Sequence, residues 1–159
     1  MTIDNPNPAL VTPQSHPLPP QPLSASEERT WSMLAHLSVL LNLITGFLGP
    51  IAALVIYLVY KDRSRMVAYQ ALQAMIFQLI CWYGGGLLIG VMWATVGVLS
   101  AVLIGIILIP IAVVLTLALV LLPVGSVVYG IIAAFQVNQG QDFKYWLVGD
   151  WVRSTLFSH

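Results

Sequence analysis

Charged residues are scarce in this sequence of 159 residues: Asp, Glu, Lys and Arg together make up 8% of it, against 58% hydrophobic residues. This charge content and a mean hydropathy of +0.88 exclude an ordinary soluble globular domain. No charged residue occurs between Met66 and Gln141. As one helix this run would be roughly 110 Å long, whereas a hydrocarbon core is about 30 Å thick, so the chain must fold back at least once.

Cysteine and catalytic motifs are also missing or rare. The single cysteine, Cys81, excludes an intrachain disulfide. The sequence has no Cys/His spacing typical of a metal site, no nucleophile elbow and no phosphate-binding glycine loop. We therefore predict that the protein is not an enzyme and has no catalytic, metal-binding or cofactor-binding residues. The formal net charge is zero, so nucleic acid is not expected as a partner.

What the sequence does contain is long apolar runs without the polar–apolar alternation of strands. In lipid every backbone N–H and C=O needs an internal partner, so such runs are expected to be helices. We predict an all-α integral membrane helical bundle with about four hydrophobic segments over residues 27–159. Residues 1–26 hold seven of the ten prolines and are predicted to be a disordered Pro-rich tail. Such a tail is either a linker or a polyproline ligand for a partner domain.

The first apolar block, Trp31 to Tyr60, is too long for one untilted crossing. Gly46 and Pro50 interrupt it, because glycine loosens a helix and proline removes a backbone donor. The pattern predicts two short helices, Trp31–Thr45 and Pro50–Tyr60, that form a shallow hairpin. The alternative is a single kinked and tilted crossing.

The second apolar block divides less clearly. Residues from Met66 to about Trp93 are predicted to cross the membrane once, with an aromatic anchor near each end. The tract Ala94–Gln136 is too long for one ordinary crossing. Pro110 and Pro123 predict either a kinked helix or a helix followed by a re-entrant segment.

Basic residues set the expected topology. Lys61, Arg63 and Arg65 directly follow the first block, which places this turn in the cytoplasm under the positive-inside tendency. Lys144 and Arg153 follow the second block and fall on the same side only if each block crosses an even number of times. Four crossings with both ends in the cytoplasm are therefore favoured. The basic turn is alternatively a contact for anionic lipid or a docking site.

Polar side chains within the apolar runs are the candidates for function. His36 and Asn42 lie in the first predicted helix, and Gln70 and Gln73 lie one turn apart at the start of the second block. We predict that these four residues form a polar seam between the two hairpins. The seam is either part of a polar conduit or a set of interhelical hydrogen bonds.

Small residues recur at spacings that place them on one helix face. Such positions let helix backbones approach closely and are predicted to be packing faces within the chain or between copies of it. The glycines predicted to pack are Gly86, Gly90, Gly97, Gly105 and Gly130.

Several short motifs together resemble a known family. They are Leu34–Ser38, Gly49–Pro50, Tyr60–Asp62, Val67–Ala74, Gln139–Lys144 and Val148–Asp150. In this order they resemble a family of small bacterial membrane proteins of unknown function that is similar to the small multispanning subunit of the chloroplast inner-envelope protein translocon. The resemblance covers residues 27–153 and departs from the family pattern in a longer tract before Gly140 and in Trp146, where proline is more usual.

The resemblance implies a four-helix, multi-pass protein of the bacterial cytoplasmic membrane. We expect a non-enzymatic membrane component, as a subunit or accessory of a transport or protein-translocation assembly. The alternatives are a stand-alone channel or transporter, and a membrane anchor that presents the Pro-rich tail. The expected partners are the lipid bilayer, further copies of the chain and other membrane proteins.

Overall fold

The computed structural model describes residues 21–157, and within that range every regular element is a helix. The all-α prediction is confirmed for this part of the chain. The helices are α1 Ala25–Leu37, α2 Val39–Thr45, α3 Leu48–Tyr60, α4 Arg65–Gln78, α5 Gly85–Ser100, α6 Ile104–Asn138 and α7 Gly149–Phe157, and a π-helical segment, Leu79–Gly84, joins α4 to α5. The predicted tail falls largely on residues 1–20, which lie outside the described residues.

Helix α1 begins at a capping box. The Ser24 hydroxyl accepts a hydrogen bond from the Glu27 backbone N–H, and the Glu27 carboxylate accepts one from the Ser24 backbone N–H at 2.8 Å. This reciprocal pair satisfies donors that a helix start leaves free. The first helix therefore starts at Ala25, where Ser24 followed by Glu27 and Glu28 predicts a helix start, and the uncharged block that begins at Trp31 is its continuation.

The predicted pair of short helices is in fact three helices. An additional break falls at Ser38, whose hydroxyl donates to the Ala35 carbonyl at 2.7 Å. Gly46 ends α2 in the left-handed conformation, with φ of 78°. Helix α3 then begins at Leu48 instead of Pro50, because proline in a first turn lacks only an N–H that has no intrahelical partner.

The second apolar block forms two long helices. Helix α4, the π segment and α5 run continuously from Arg65 to Ser100, well past the predicted end at Trp93. A tight turn, in which Leu103 has a φ of 66°, leads into α6. Helix α6 continues through both Pro110 and Pro123, so the prediction of a separate re-entrant segment is wrong.

Hydrogen bonds between helices fix how the two blocks pack. Glu28 contacts Ser64, His36 contacts Gln70, and Asn42 contacts Gln78, so α1 and α2 run alongside α4 in the same direction. The Tyr83 hydroxyl donates to the Phe47 carbonyl at 3.2 Å, which places the α2–α3 turn level with the π segment.

The molecule consequently has two regions. We call residues 24–84 and 123–157 the proximal body; it contains α1 to α4, the second half of α6, and α7. We call residues 85–122 the distal hairpin; there α5 packs only against the first half of α6. Among residues 21–157, two helical rods, Arg65–Ser100 and Ile104–Asn138, are long and apolar enough to cross a membrane, and α3 is a shorter apolar helix. With its exposed apolar surface, the chain is a helical membrane protein.

Candidate functional site

The proximal body buries a network of polar side chains. His36, Gln70 and Gln73 are all fully inaccessible to solvent. Helix α1 supplies the histidine, and one face of α4 supplies both glutamines, because residues three apart on a helix lie on the same side. The extended segment after α6 completes the network, because Phe143 and Tyr145 form hydrogen bonds with these glutamines. We call these five residues the polar core.

The imidazole of His36 is held from both sides. Its Nε2 lies 2.9 Å from Gln70 Oε1, and its Nδ1 lies 3.1 Å from the Tyr145 hydroxyl. The Gln70 amide nitrogen donates to the Phe143 carbonyl at 3.1 Å, so its oxygen must face the histidine. An amide oxygen only accepts, and His36 therefore carries its proton on Nε2.

The remaining ring nitrogen, Nδ1, then accepts from the Tyr145 hydroxyl. Burial raises the pKa of the Tyr145 phenol, which keeps it neutral and able to donate. The rings of His36 and Phe143 meet edge to face at 5.6 Å between centroids. Both nitrogens of His36 are thus paired within the chain.

Gln73 completes the polar core. Its amide nitrogen donates to the Phe143 carbonyl at 2.9 Å and to Gln70 Oε1, and its amide oxygen accepts from the Tyr145 backbone N–H at 3.1 Å. The two glutamine side chains therefore satisfy the backbone hydrogen bonds of segment 143–145 that a neighbouring strand would otherwise supply. Every donor and acceptor of His36, Gln70 and Gln73 has a partner.

The sequence-based site omitted Phe143 and Tyr145. Aromatic residues beside Lys144 after an apolar helix are typical of a segment that lies along the headgroups, but Phe143 and Tyr145 point inward. The Tyr145 ring stacks on Phe77, and the Phe143 ring meets Tyr129 edge to face. The available signal was the alternation of buried Phe143 and Tyr145 with exposed Lys144 and Trp146, the period of an extended segment with one buried face.

Asn42 belongs to a second buried cluster. Its amide nitrogen lies 3.4 Å from Gln78 Oε1, and its amide oxygen accepts from the Gly49 backbone N–H at 2.8 Å. Gln78 in turn donates to the Ser38 hydroxyl at 3.0 Å. The structure therefore brings His36, Gln70 and Gln73 together but places Asn42 one to two turns further along, against Gln78.

The five glycines separate into two groups. A Cβ on Gly130 would lie 2.9 Å from Val39 Cγ1, and one on Gly105 would collide with the backbone of α5, so both occupy close helix contacts. At Gly86, Gly90 and Gly97 a Cβ would meet nothing within 4 Å. The prediction that these three pack within the chain is wrong, because the face of α5 that carries them points away from α6.

All basic side chains lie at one end of the proximal body. Lys61, Arg63 and Arg65 are exposed at the turn between α3 and α4. Lys144 pairs with Asp150 at 2.9 Å, and Arg153 pairs with Asp142. Arg29 lies against Gly140. We call this the basic end; within residues 21–157 no group of three or more His, Cys, Asp or Glu side chains is placed to hold a metal ion.

Comparison with known proteins yields one match. Residues 27–152 match a family model described as the magnetosome magnetite crystal formation protein family. No curated protein and no solved structure matches the chain. The matched range covers the whole distal hairpin and all of the proximal body except residues 24–26 and 153–157.

Proposed function

The chain belongs to the magnetosome magnetite crystal formation protein family, and from that premise we propose that it is a non-enzymatic, integral scaffold of the magnetosome membrane that supports magnetite crystal formation. The match over residues 27–152 supports a role for the whole helical part and not for one motif. Lipid is its immediate partner, and further copies or other membrane proteins are its proposed protein partners.

The pairing of the polar core within the chain is the observation that favours a scaffold over a conduit. A conduit needs polar groups that exchange partners with water or a solute. His36, Gln70 and Gln73 instead pair with one another and with residues 142–145, and each of the three is fully inaccessible. The polar core is therefore suited to lock helices α1, α4 and α6 into one arrangement.

Gene deletion in a magnetosome-forming bacterium tests this function. We expect the tagged protein in purified magnetosomes, and we expect smaller or misshapen crystals in the deletion strain by electron microscopy, with recovery when the wild-type gene is returned. Normal crystals, with the protein confined to the cytoplasmic membrane fraction, would contradict the proposal and favour the location expected from sequence.

Four crossings with both ends in the cytoplasm are the proposed topology. The uncharged residues 30–45 extend about 24 Å as helices α1 and α2, slightly less than the thickness of a hydrocarbon core. Helix α3 has 13 residues and spans only about 20 Å, so it needs local thinning of the bilayer.

Cysteine labelling of purified magnetosomes with a membrane-impermeant reagent, before and after detergent permeabilisation, tests the topology in a Cys81→Ala background. The probes are Gly46→Cys, Asp62→Cys and Val102→Cys. Labelling of Gly46→Cys and Val102→Cys from the side opposite to Asp62→Cys supports four crossings. Labelling of Val102→Cys alone from that side means two crossings, with the α2–α3 hairpin dipping into the membrane without leaving it.

A transport or translocation accessory is the second candidate function. The buried polar side chains at membrane depth and the motif resemblance to the translocon subunit favour it. If the protein conducts a solute on its own, Gln73→Leu should change flux into liposomes while helical content is preserved. The third reading, an anchor for the tail, predicts that deletion of residues 1–25 abolishes a partner interaction that changes in the polar core leave intact.

A further inference from the structure

A cleft at the basic end has the features of a lipid headgroup site. It measures about 560 Å³ and lies between the start of α4, helix α7 and the segment after α6. Arg65 and Arg153 line it, together with the apolar side chains of Met66 and Phe157, the ring of Tyr69, and Asp142, whose carboxylate pairs with Arg153. From this arrangement we propose that the cleft binds the phosphodiester headgroup of an anionic phospholipid.

The two guanidinium groups are placed to meet a phosphate. Arg65 Cζ lies 5.8 Å from the Phe157 ring centroid, and among residues 21–157 this guanidinium forms no ion pair. Arg153 Cζ lies 4.8 Å from the Tyr69 ring centroid, and its ion pair with Asp142 uses one of its nitrogens. Arginine presents several donors in a planar fork that fits phosphate oxygens, so the cleft retains donors for an anion.

The Tyr69 hydroxyl is the independent sign of a missing ligand. Tyr69 is only 3% exposed and lines the cleft; its hydroxyl lies near the Arg153 guanidinium but forms no hydrogen bond of good geometry among the described residues. Buried polar groups in native proteins are nearly always paired, because an unpaired group costs free energy. A phosphodiester oxygen beside Arg153 would accept from this hydroxyl.

The chemistry of the lining favours a lipid over a free anion. Met66 and Phe157 offer apolar surface next to the cations, which suits an amphiphile whose glycerol and first methylenes lie below its phosphate. The neighbouring aromatic side chains Trp146 and Trp151 are 74% and 61% exposed, as expected for residues that sit among headgroups. The site and the leaflet surface therefore lie at the same depth.

Native mass spectrometry of the full-length protein in detergent tests the proposal. The titrants are phosphatidylglycerol, phosphatidylcholine and inorganic phosphate. We expect phosphatidylglycerol to bind in preference to phosphatidylcholine. Arg65→Gln should weaken phosphatidylglycerol binding about fivefold, as expected for loss of one basic residue at an anionic membrane surface.

Arg63→Gln is the matched control. It removes the same charge from the same turn, but Arg63 does not line the cleft and its Nε donates to the Gln21 carbonyl at 3.2 Å. Phosphatidylglycerol binding should stay near the wild-type value. An equal loss in both variants would overturn the proposal in favour of diffuse attraction, and so would no loss in either.

Tyr69→Phe separates ligand binding from folding. Its hydroxyl forms no hydrogen bond of good geometry within the described residues and has the Arg153 guanidinium as a polar neighbour, so the variant should melt close to the wild-type temperature yet bind phosphatidylglycerol more weakly. A variant that binds the lipid as well as wild type would contradict the role given to Tyr69. Competition by inorganic phosphate at millimolar concentration would show that the cleft takes a free anion, and it would overturn the lipid assignment. None of these outcomes depends on magnetite formation.

Discussion

The proximal body and the distal hairpin both expose large apolar side chains, yet different interactions hold them together. In the proximal body α1, α4 and the segment after α6 are joined by the polar core and by an aromatic cluster around Phe77 and Tyr145. In the distal hairpin the buried positions are small or β-branched residues, Gly85, Val96, Gly105 and Ala112. One side-chain hydrogen bond joins its two helices, from Trp93 Nε1 to Thr116 Oγ1 at 2.9 Å.

This difference follows from how helices associate in lipid. Lipid tails are as apolar as leucine, so helix pairing there depends on close packing and on hydrogen bonds instead of on hydrophobic burial. The proximal body has both kinds of interaction at several helices. The distal hairpin has close packing along one narrow seam, and its partner on all other sides is lipid or another protein.

The lengths of the two regions add a mechanical difference. The rod Arg65–Ser100 has 36 residues and is about 54 Å long, far more than a hydrocarbon core of about 30 Å. Even a tilt of about 40° shortens its projection only to roughly 41 Å. The π segment Leu79–Gly84 lies where the two regions meet, and a widened helical turn there is a natural place to bend.

Loss of Gln73 should produce the largest effect. Gln73→Leu leaves the buried Tyr145 backbone N–H without an acceptor, and it removes a donor from the Phe143 carbonyl. We expect a loss of unfolding free energy of about 3 kcal/mol, the upper end for a buried polar group left unpaired. The measurement is unfolding in mixed detergent micelles, followed by circular dichroism.

Thr116→Val is the control from the distal hairpin. It removes the hydrogen bond with Trp93 from an exposed site and should cost no more than about 0.6 kcal/mol, as is typical between membrane helices. Equal losses of unfolding free energy in the two variants would contradict the proposed difference, because they would show that hydrogen bonds stabilise both regions to the same extent.

Local chemistry explains which parts of this architecture were readable from sequence. Gly46 and Gly140 both end helices with positive φ, as glycine at those positions indicates. The depth of His36 in its helix and the one-turn spacing of Gln70 and Gln73 were enough to place them in contact. These signals act over a few residues or over one helical face.

Other features depend on contacts that local sequence does not encode. The insertion of Phe143 and Tyr145 against α4 joins residues separated by about seventy positions, and only the fold brings them together. The turn before α6 falls within uniformly apolar sequence, with Leu103 at a positive φ where glycine or asparagine would be the usual sign. Glycine spacing identified a face of α5, but spacing alone cannot say what covers that face.

Replacing glycine with alanine should also affect the stability of the two regions differently, with a smaller difference than the polar substitutions give. In Gly49→Ala the new Cβ would lie 2.7 Å from Asn42 Nδ2 and 2.8 Å from Asn42 Cγ. Overpacking of a filled core costs about 1–3 kcal/mol, and the gain from replacing glycine in a helix is about 0.5–1 kcal/mol. We expect a net loss of about 1–2 kcal/mol by the same unfolding measurement.

Gly90→Ala is its partner on the distal hairpin. The new Cβ meets nothing within 4 Å, so this variant should be unchanged or slightly more stable in dispersed, monomeric protein. If Gly90→Ala is as destabilising as Gly49→Ala, the exposed face of α5 is packed against another chain. The two regions would then differ in where their glycines pack: within the chain in the proximal body, and against another chain in the distal hairpin.

The smallest effect is expected from one hydroxyl group in the polar core. Tyr145→Phe leaves His36 Nδ1 without a donor, while the Nε2 bond to Gln70 remains. We expect a loss of about 1 kcal/mol, typical of a single buried hydrogen bond. Tyr83→Phe at the boundary of the distal hairpin removes a hydroxyl from a side chain that is 45% exposed and should change stability by less than about 0.5 kcal/mol.

Nitrogen-15 NMR of His36 should report the Nε2–H tautomer in both wild type and Tyr145→Phe, because the Gln70 oxygen determines it. A switch to the Nδ1–H form in the variant would mean that Tyr145, and not Gln70, orients the imidazole.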